Sequence, residues 1–281
     1  MGLHADRPPG RRLLEGKQVP AAVPFPHLVS RPALSDADYR ALADAFPSLQ
    51  KLAGPPPYPN NIPVRIGAVT MLEAPSFPAI WREFVAHHVS GDFWAATARV
   101  FGDSIRALHP DLEARIGRPV DQWRTGRRKS HHGVDVLLDC QLVINTPVTQ
   151  VTTVLGPHID APNKIVSGLY YFRPDDDPTL GGDLDLYRWR APPRFHKQFA
   201  PHDAIERVAT VPYAPNTHLA FVNSPLSVHG VSDRAVTDRP RFYVNFVAEM
   251  PFAIFEMPRA TGWRPSAGDR EAPRVKAPGD P

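Results

Sequence analysis

Thirty-four of the 281 residues are proline, and their placement limits what the chain can build. Proline donates no backbone N–H and is excluded from helix interiors and central strands. From about residue 115 onward, Pro, Gly, Asn and Asp fence off six short runs: VDVLLDCQLVIN (134–145), KIVSGLYYF (164–172), DLDLYRW (183–189), RVATVPY (207–213), THLAFVN (217–223) and RFYVNFVAEM (241–250). Each is rich in β-branched and aromatic residues. Short strands with no helical run between them indicate a sandwich or barrel.

The first part of the chain reads differently. PFPHLV (24–29) suits a short strand. In SDADYRALADAFPSLQKL, Ser35 is an N-cap candidate with Asp38 three residues on, and Tyr39, Leu42, Ala43 and Phe46 repeat at helical spacing. GPPPYPNNIPV (54–64) reads as a loop. From Pro78 to Leu108 the period is helical again, with Gly91 dividing it into two helices. Helices followed by a β body make an α+β arrangement around one core. Both ends are polar and charged, so 1–20 and 258–281 are expected to be disordered tails. They flank one domain, 21–257, with a helical part (21–115) and a β part (116–257).

A net charge of +3 is too small for the basic footprint of a nucleic-acid or membrane partner. Cys140 is the only cysteine, which excludes an internal disulfide and fits a reducing compartment. The opening MGLHADRPPGRRLLEGK lacks the apolar core of a signal peptide, and no apolar run is long enough to span a bilayer. The expectation is a cytoplasmic protein.

GPHIDAPNKIVSGLYYF (156–172) carries the chemistry. On an extended segment, His158 and Asp160 share a face. Alone, the triplet is better explained by a hydrogen-bonded loop pair. Imidazole with carboxylate suits a first-row metal, and two His with one carboxylate form the facial set of non-haem iron. His229, in NSPLSVHGVSD, is the best third ligand; it follows an apolar strand and precedes a turn at Gly230. Arg241 opens the strand RFYVNF. An inward guanidinium there needs an acid partner and suits a carboxylate.

His158-x-Asp160, His229 and Arg241, in that order over a β body, resemble the iron(II)/2-oxoglutarate-dependent oxygenases, in particular their prolyl-hydroxylase-like branch. The matching stretches are HIDAPN, GLYYF, GGDLDLYRW, HGV and RPRFYVNF, within residues 137–250. The resemblance implies a double-stranded β-helix (jelly-roll) core with the N-terminal helices packed on it. It implies Fe(II) held by His158, Asp160 and His229, with 2-oxoglutarate and O2 as cosubstrates and ascorbate as a reductant. Arg241 would pair with the far carboxylate of 2-oxoglutarate, Tyr171 would donate to that carboxylate, and Asn145 would meet the near end. Arg239 is a rival for the clamp, because the family's basic residue usually lies nearer the last His and Arg239 shares a face with Arg241. The implied reaction is hydroxylation of an unactivated C–H of a small molecule, sugar or peptidyl residue, with release of succinate and CO2. The carboxylate at 160 favours hydroxylation over halogenation, since related halogenases carry a small residue there.

Asn163 and Lys164, just past the metal pair, are candidate substrate contacts. His131-His132, in the basic run RTGRRKSHH (124–132), is a poor chelate because strand neighbours diverge. That run reads as a solvated loop, with reception of an anionic substrate as the alternative. His87-His88 reads as structural. RPDDDPTLGGD (173–183) lacks a calcium-loop pattern and reads as a solvated turn. A nucleic-acid demethylase would carry a second Arg after Arg241, and FYVNFVAEM has none. A jelly-roll or cupin-like metal protein that does not use 2-oxoglutarate would have no need of Arg241.

Overall fold

The computed structural model describes residues 11–128, 130, 133–260 and 275–276. In chain order the elements are β1 (His27–Ser30), α1 (Asp36–Asp44), α2 (Leu49–Ala53), β2 (Pro63–Ile66), α3 (Ala68–Glu73), α4 (Ala79–His88), α5 (Gly91–Leu108), α6 (Leu112–Ile116), β3 (Thr125–Arg127), β4 (Val136–Asn145), β5 (Lys164–Tyr171), β6 (Leu184–Trp189), β7 (Ile205–Val211), β8 (Thr217–Val222), β9 (His229–Val231), β10 (Arg241–Glu249) and β11 (Val275–Lys276).

The large sheet runs β1-β8-β5-β10-β4-β2-β11, with β3 on β4, and the small sheet runs β7-β6-β9. The fold is therefore mixed, with a large sheet facing a smaller one. Strand alternation assigns each face of the large sheet its own packing partner. Leu142, Ile144, Tyr170, Val244 and Phe246 face Trp81, Phe84 and Phe101 of α4 and α5 in the main core. Val143, Tyr171, Leu219 and Tyr243 face Leu184, Leu186 and Val211 of the small sheet. The helices are capped as their sequences demand: Ser35 accepts from the Asp38 N–H, Ser48 from Lys51 and Ser90 from Phe93. Gly91 thus opens α5 behind its cap. Among the described residues, no helix is long and apolar enough to cross a membrane.

Several expectations need correction. The chain packs before residue 21: Leu13 and Leu14 are buried, and the Leu13 N–H donates to His88 Nε2 at 3.2 Å. This apolar pair gains more by joining the core than by staying in a charged tail. Residues 21–115 are not only helical, since β1 and β2 join the large sheet. The 54–64 loop gives way to β2 at Pro63, where proline heads a strand and loses little. The C-terminal expectation falls mostly outside the described residues, although Val275–Lys276 pair with β2. The acidic stretch 173–183 is no free turn: Asp177 is buried beside Arg173, and Asp183 accepts from the Tyr213 N–H. The basic run is also engaged, with Arg124 on Asp135 and Arg128 on Glu249. Its Lys129, His131 and His132 lie outside the described residues.

Candidate metal centre and anion pocket

Gly230 is a strand residue, not the expected turn. It lies opposite Asp185 of β6. A side chain at Gly230 would meet the Gly156 carbonyl carbon and the Pro157 nitrogen at 3.0 Å. Only glycine lets the 156–158 backbone pass this close. His158 and His229 therefore exchange backbone bonds of 2.8 and 2.9 Å, and their ring centroids lie 4.3 Å apart.

Each ring is oriented through its own backbone. His158 Nδ1 lies 2.8 Å from the Gly156 carbonyl, and His229 Nδ1 lies 2.9 Å from the Ser227 carbonyl. A carbonyl only accepts, so both Nδ1 atoms donate and both Nε2 lone pairs are free for a cation. Asp160 completes the group: one ligand atom from each of His158, Asp160 and His229 falls within 4.8 Å of the others. Lys164 Nζ donates to Asp160 Oδ1 at 2.6 Å and Ser167 Oγ to Oδ2 at 2.5 Å. These bonds fix the carboxylate and leave it one free lone pair per oxygen.

The protonation states match. Burial, with His229 beside it, pushes His158 down to about 3 against a smaller opposing effect of Asp160. His229 is also lowered, by burial first. Burial by itself would raise Asp160, but Lys164 and the two imidazoles together outweigh it and hold the carboxyl well below its usual range. Two neutral imidazoles and an ionised carboxylate are the states in which these groups bind a divalent metal. The residues fit the ligand set expected of them.

A second polar group lies on the inner face of the large sheet. Arg241 is 1% exposed. Its guanidinium carbon lies over Tyr171 at 5.0 Å, Tyr213 at 4.7 Å and Tyr243 at 4.7 Å. Among the described residues it has no acid partner, and its Nε and Nη2 have no hydrogen-bond partner. The Tyr171 hydroxyl is equally unpartnered, and so are both side-chain amide atoms of Asn145. Burial, offset by Arg241, leaves Tyr171 pushed up to about 12. It is a neutral donor at physiological pH. The site has an uncompensated positive charge, a free hydroxyl and a free amide, and these are the complement of a carboxylate.

Four expectations change. Arg239 is not brought to this group: its half-exposed guanidinium pairs with Asp176 at 3.0 Å. Asn145 lies directly across the ladder from Arg241, at the guanidinium end and not at the metal end. Lys164 holds Asp160 and is not free at a pocket mouth. Asn163 ties the following turn to the end of β10, its carbonyl accepting from the Met250 N–H at 2.6 Å. Sequence reasoning missed Tyr213, which closes the cage from outside the large sheet. It also missed Arg234, buried beside Arg241 and bonded to Asn61 Oδ1 and the Arg239 carbonyl. Burial first, then Arg241, lowers Arg234 to about 10. Gly182 gives both arginines room: its φ is +78°, and a side chain there would meet Arg234 Cγ at 3.0 Å and Arg241 Cδ at 3.4 Å.

No family model matches the chain, and no curated protein does. Solved structures resemble it at low identity. A Pseudomonas putida prolyl-4-hydroxylase is 12% identical over 80% of this chain and 93% of its own, with a TM-score of 0.40. The epimerase SnoN, in complex with Fe3+, alpha-ketoglutarate and nogalamycin RO, is 12% identical over 89% and 90%, with a TM-score of 0.44. The Fe(II)/alpha-ketoglutarate-dependent dioxygenase TqaL is 16% identical over 80% of each chain, with a TM-score of 0.38. At TM-scores below 0.5 these likenesses carry no weight on function, which has to rest on the site's own geometry.

Proposed function

We propose that this chain is an Fe(II)/2-oxoglutarate-dependent dioxygenase of prolyl-hydroxylase-like type, built on a double-stranded β-helix, that hydroxylates an unactivated C–H bond. The observation that carries the reading is Arg241: a buried guanidinium without an acid partner among the described residues, on the face that looks toward the small sheet bearing His229. A metal-binding module that does not use 2-oxoglutarate leaves that charge unexplained.

His158, Asp160 and His229 would hold the iron. Bound there, iron supplies O2 activation coupled to decarboxylation of 2-oxoglutarate, giving succinate, CO2 and an oxidised substrate. The chain's own residues do the rest. The Gly156 and Ser227 carbonyls keep both imidazoles in the tautomer that presents Nε2. Lys164 and Ser167 keep Asp160 ionised and aimed. Arg241 pairs with the far carboxylate of 2-oxoglutarate, and Tyr171 and Asn145 donate to the same group. The three tyrosine rings exclude water, which strengthens that pairing. The substrate is a small molecule, a sugar or a peptidyl residue.

Release of labelled CO2 from 2-oxoglutarate by the Fe(II)-loaded protein under air tests this reading. Wild type is expected to release CO2 and form succinate in equal amounts, and Asp160→Ala to release none above background. Equal, metal-independent release from both proteins would overturn it.

A further inference from the structure

We propose that Arg65 anchors an acidic group of the substrate, so that the substrate class is small molecules carrying a carboxylate or phosphate oxyanion. The inference rests on the reading of the site given under Proposed function.

Arg65 stands in β2 directly opposite Val143. Val143 is opposite Tyr243, and Tyr243 is opposite Tyr171. Residues facing each other across antiparallel ladders project to the same side. Arg65 therefore shares the inner face with two rings of the Arg241 cage. Its neighbours Val64 and Ile66 project the other way, into the helix-side core, which agrees with that orientation. β2 and β10 are two strand spacings apart, about 10 Å. A second cation thus lies a small molecule's length from the first.

Arg65 has the same marks as Arg241. It is half-buried, and its Nε is buried without a partner. Among the described residues it makes no ion pair. The acids on its face are committed elsewhere: Asp139 to the Ala68 N–H, Gln141 and Arg128, and Glu249 to Arg128. Across the interior, Asp160 is held by Lys164 and Ser167. Arg118 and Arg234 also have an unpartnered Nε, but Asp135 holds the first, and Asn61 and the Arg239 carbonyl hold the second. Among the described residues, Arg65 and Arg241 have no such neighbour. A buried guanidinium nitrogen without an acceptor is costly, and an oxyanion offered by a ligand removes the cost. Arg241 is taken by the cosubstrate's far carboxylate, so Arg65 is left for a second molecule. Arg65 is only half-buried, so that molecule reaches it from solvent. The planar fork suits carboxylate and phosphate alike.

The test loads the protein with Mn(II), saturates it with 2-oxoglutarate to fill the Arg241 end, and titrates acetate and inorganic phosphate as separate probes. Bound Mn(II) relaxes nuclei steeply with proximity, so an ion held on Arg65 is relaxed more than one free in solution. Acetate protons or phosphate 31P are expected to be relaxed in wild type, about tenfold less in Arg65→Met, and near the wild-type level in Arg65→Lys. The more strongly relaxed probe identifies the oxyanion. Equal relaxation in wild type and Arg65→Met, or none from either probe in wild type, overturns the proposal. Should Arg65→Met fail to fold, Arg65→Gln takes its place: a loss of probe relaxation relative to wild type supports the anchor, and relaxation equal to wild type contradicts it. The protons of 2-oxoglutarate serve as the control. If they are not relaxed in wild type, the cosubstrate reading has failed and takes this one with it; if they are, the Arg65 result stands alone.

Discussion

The two faces of the large sheet follow opposite rules. The helix-side face is filled by close aromatic contacts, such as Phe84 with Tyr170 and Phe246 and Trp81 with Phe172. The inner face carries Arg241, Tyr171, Asn145 and Arg65, each with polar atoms that have no partner among the described residues. The same strands serve both faces, because successive residues alternate between them. The helix side is closed by apolar packing, and the inner side keeps polar atoms unpaired among the described residues. A substitution should therefore move stability or binding according to its face.

Removing a metal ligand should have the largest effect. Asp160→Ala is expected to weaken metal binding ~100-fold or more and abolish turnover. Calorimetric metal titration checks it. On the other face, Phe84→Ala is expected to cost about 3–5 kcal/mol in denaturant unfolding while the 2-oxoglutarate affinity of the folded protein stays unchanged. Arg241→Met sharpens the contrast further. It should weaken 2-oxoglutarate by about 2–5 kcal/mol, yet raise the melting temperature of the ligand-free protein, since an unpaired buried charge is replaced by an apolar side chain. Equal loss of stability and binding in both variants would dissolve the distinction between the faces.

Two smaller effects refine it. His218 is buried on the helix side, and burial lowers it to about 3. Between pH 6.5 and about 3 the unfolded chain takes up a proton that the folded chain refuses. The unfolded state binds more protons in that window, so stability is full above 6.5 and falls on acidification, by about 1.4 kcal/mol per pH unit for this group. His218→Gln should flatten the stability profile by that amount. On the inner face, Tyr171→Phe should lose about 0.5–1.5 kcal/mol of 2-oxoglutarate binding and leave folding stability unchanged, because among the described residues its hydroxyl has no partner.

The legible parts of the sequence were those set by local period. The six β-rich runs became strands, and extended alternation brought His158 and Asp160 together. Alternation failed at Arg239, because β10 begins only at Arg241; behind Pro240 the backbone is loop, and a shared face has no meaning there. β9 was too short and too glycine-containing to read as a strand, and it forms through pairing with β6 and the His158 segment. Tyr213 closes the cage from a distant part of the chain, and no local pattern marks that. Arg65 was hidden in a proline-rich approach, and only the β2–β4 register reveals which way it faces.

The central claim is that the His–Asp–His group and Arg241 together hold an iron-chelated 2-oxo acid. Anaerobic titration with Fe(II) and then 2-oxoglutarate tests it most directly, through the visible charge-transfer band of a chelated keto acid. The band should appear in wild type and in Phe84→Ala, be absent in His158→Ala, and need far more 2-oxoglutarate in Arg241→Met. Iron binding without any band in wild type, or a band indifferent to Arg241→Met, would contradict the account.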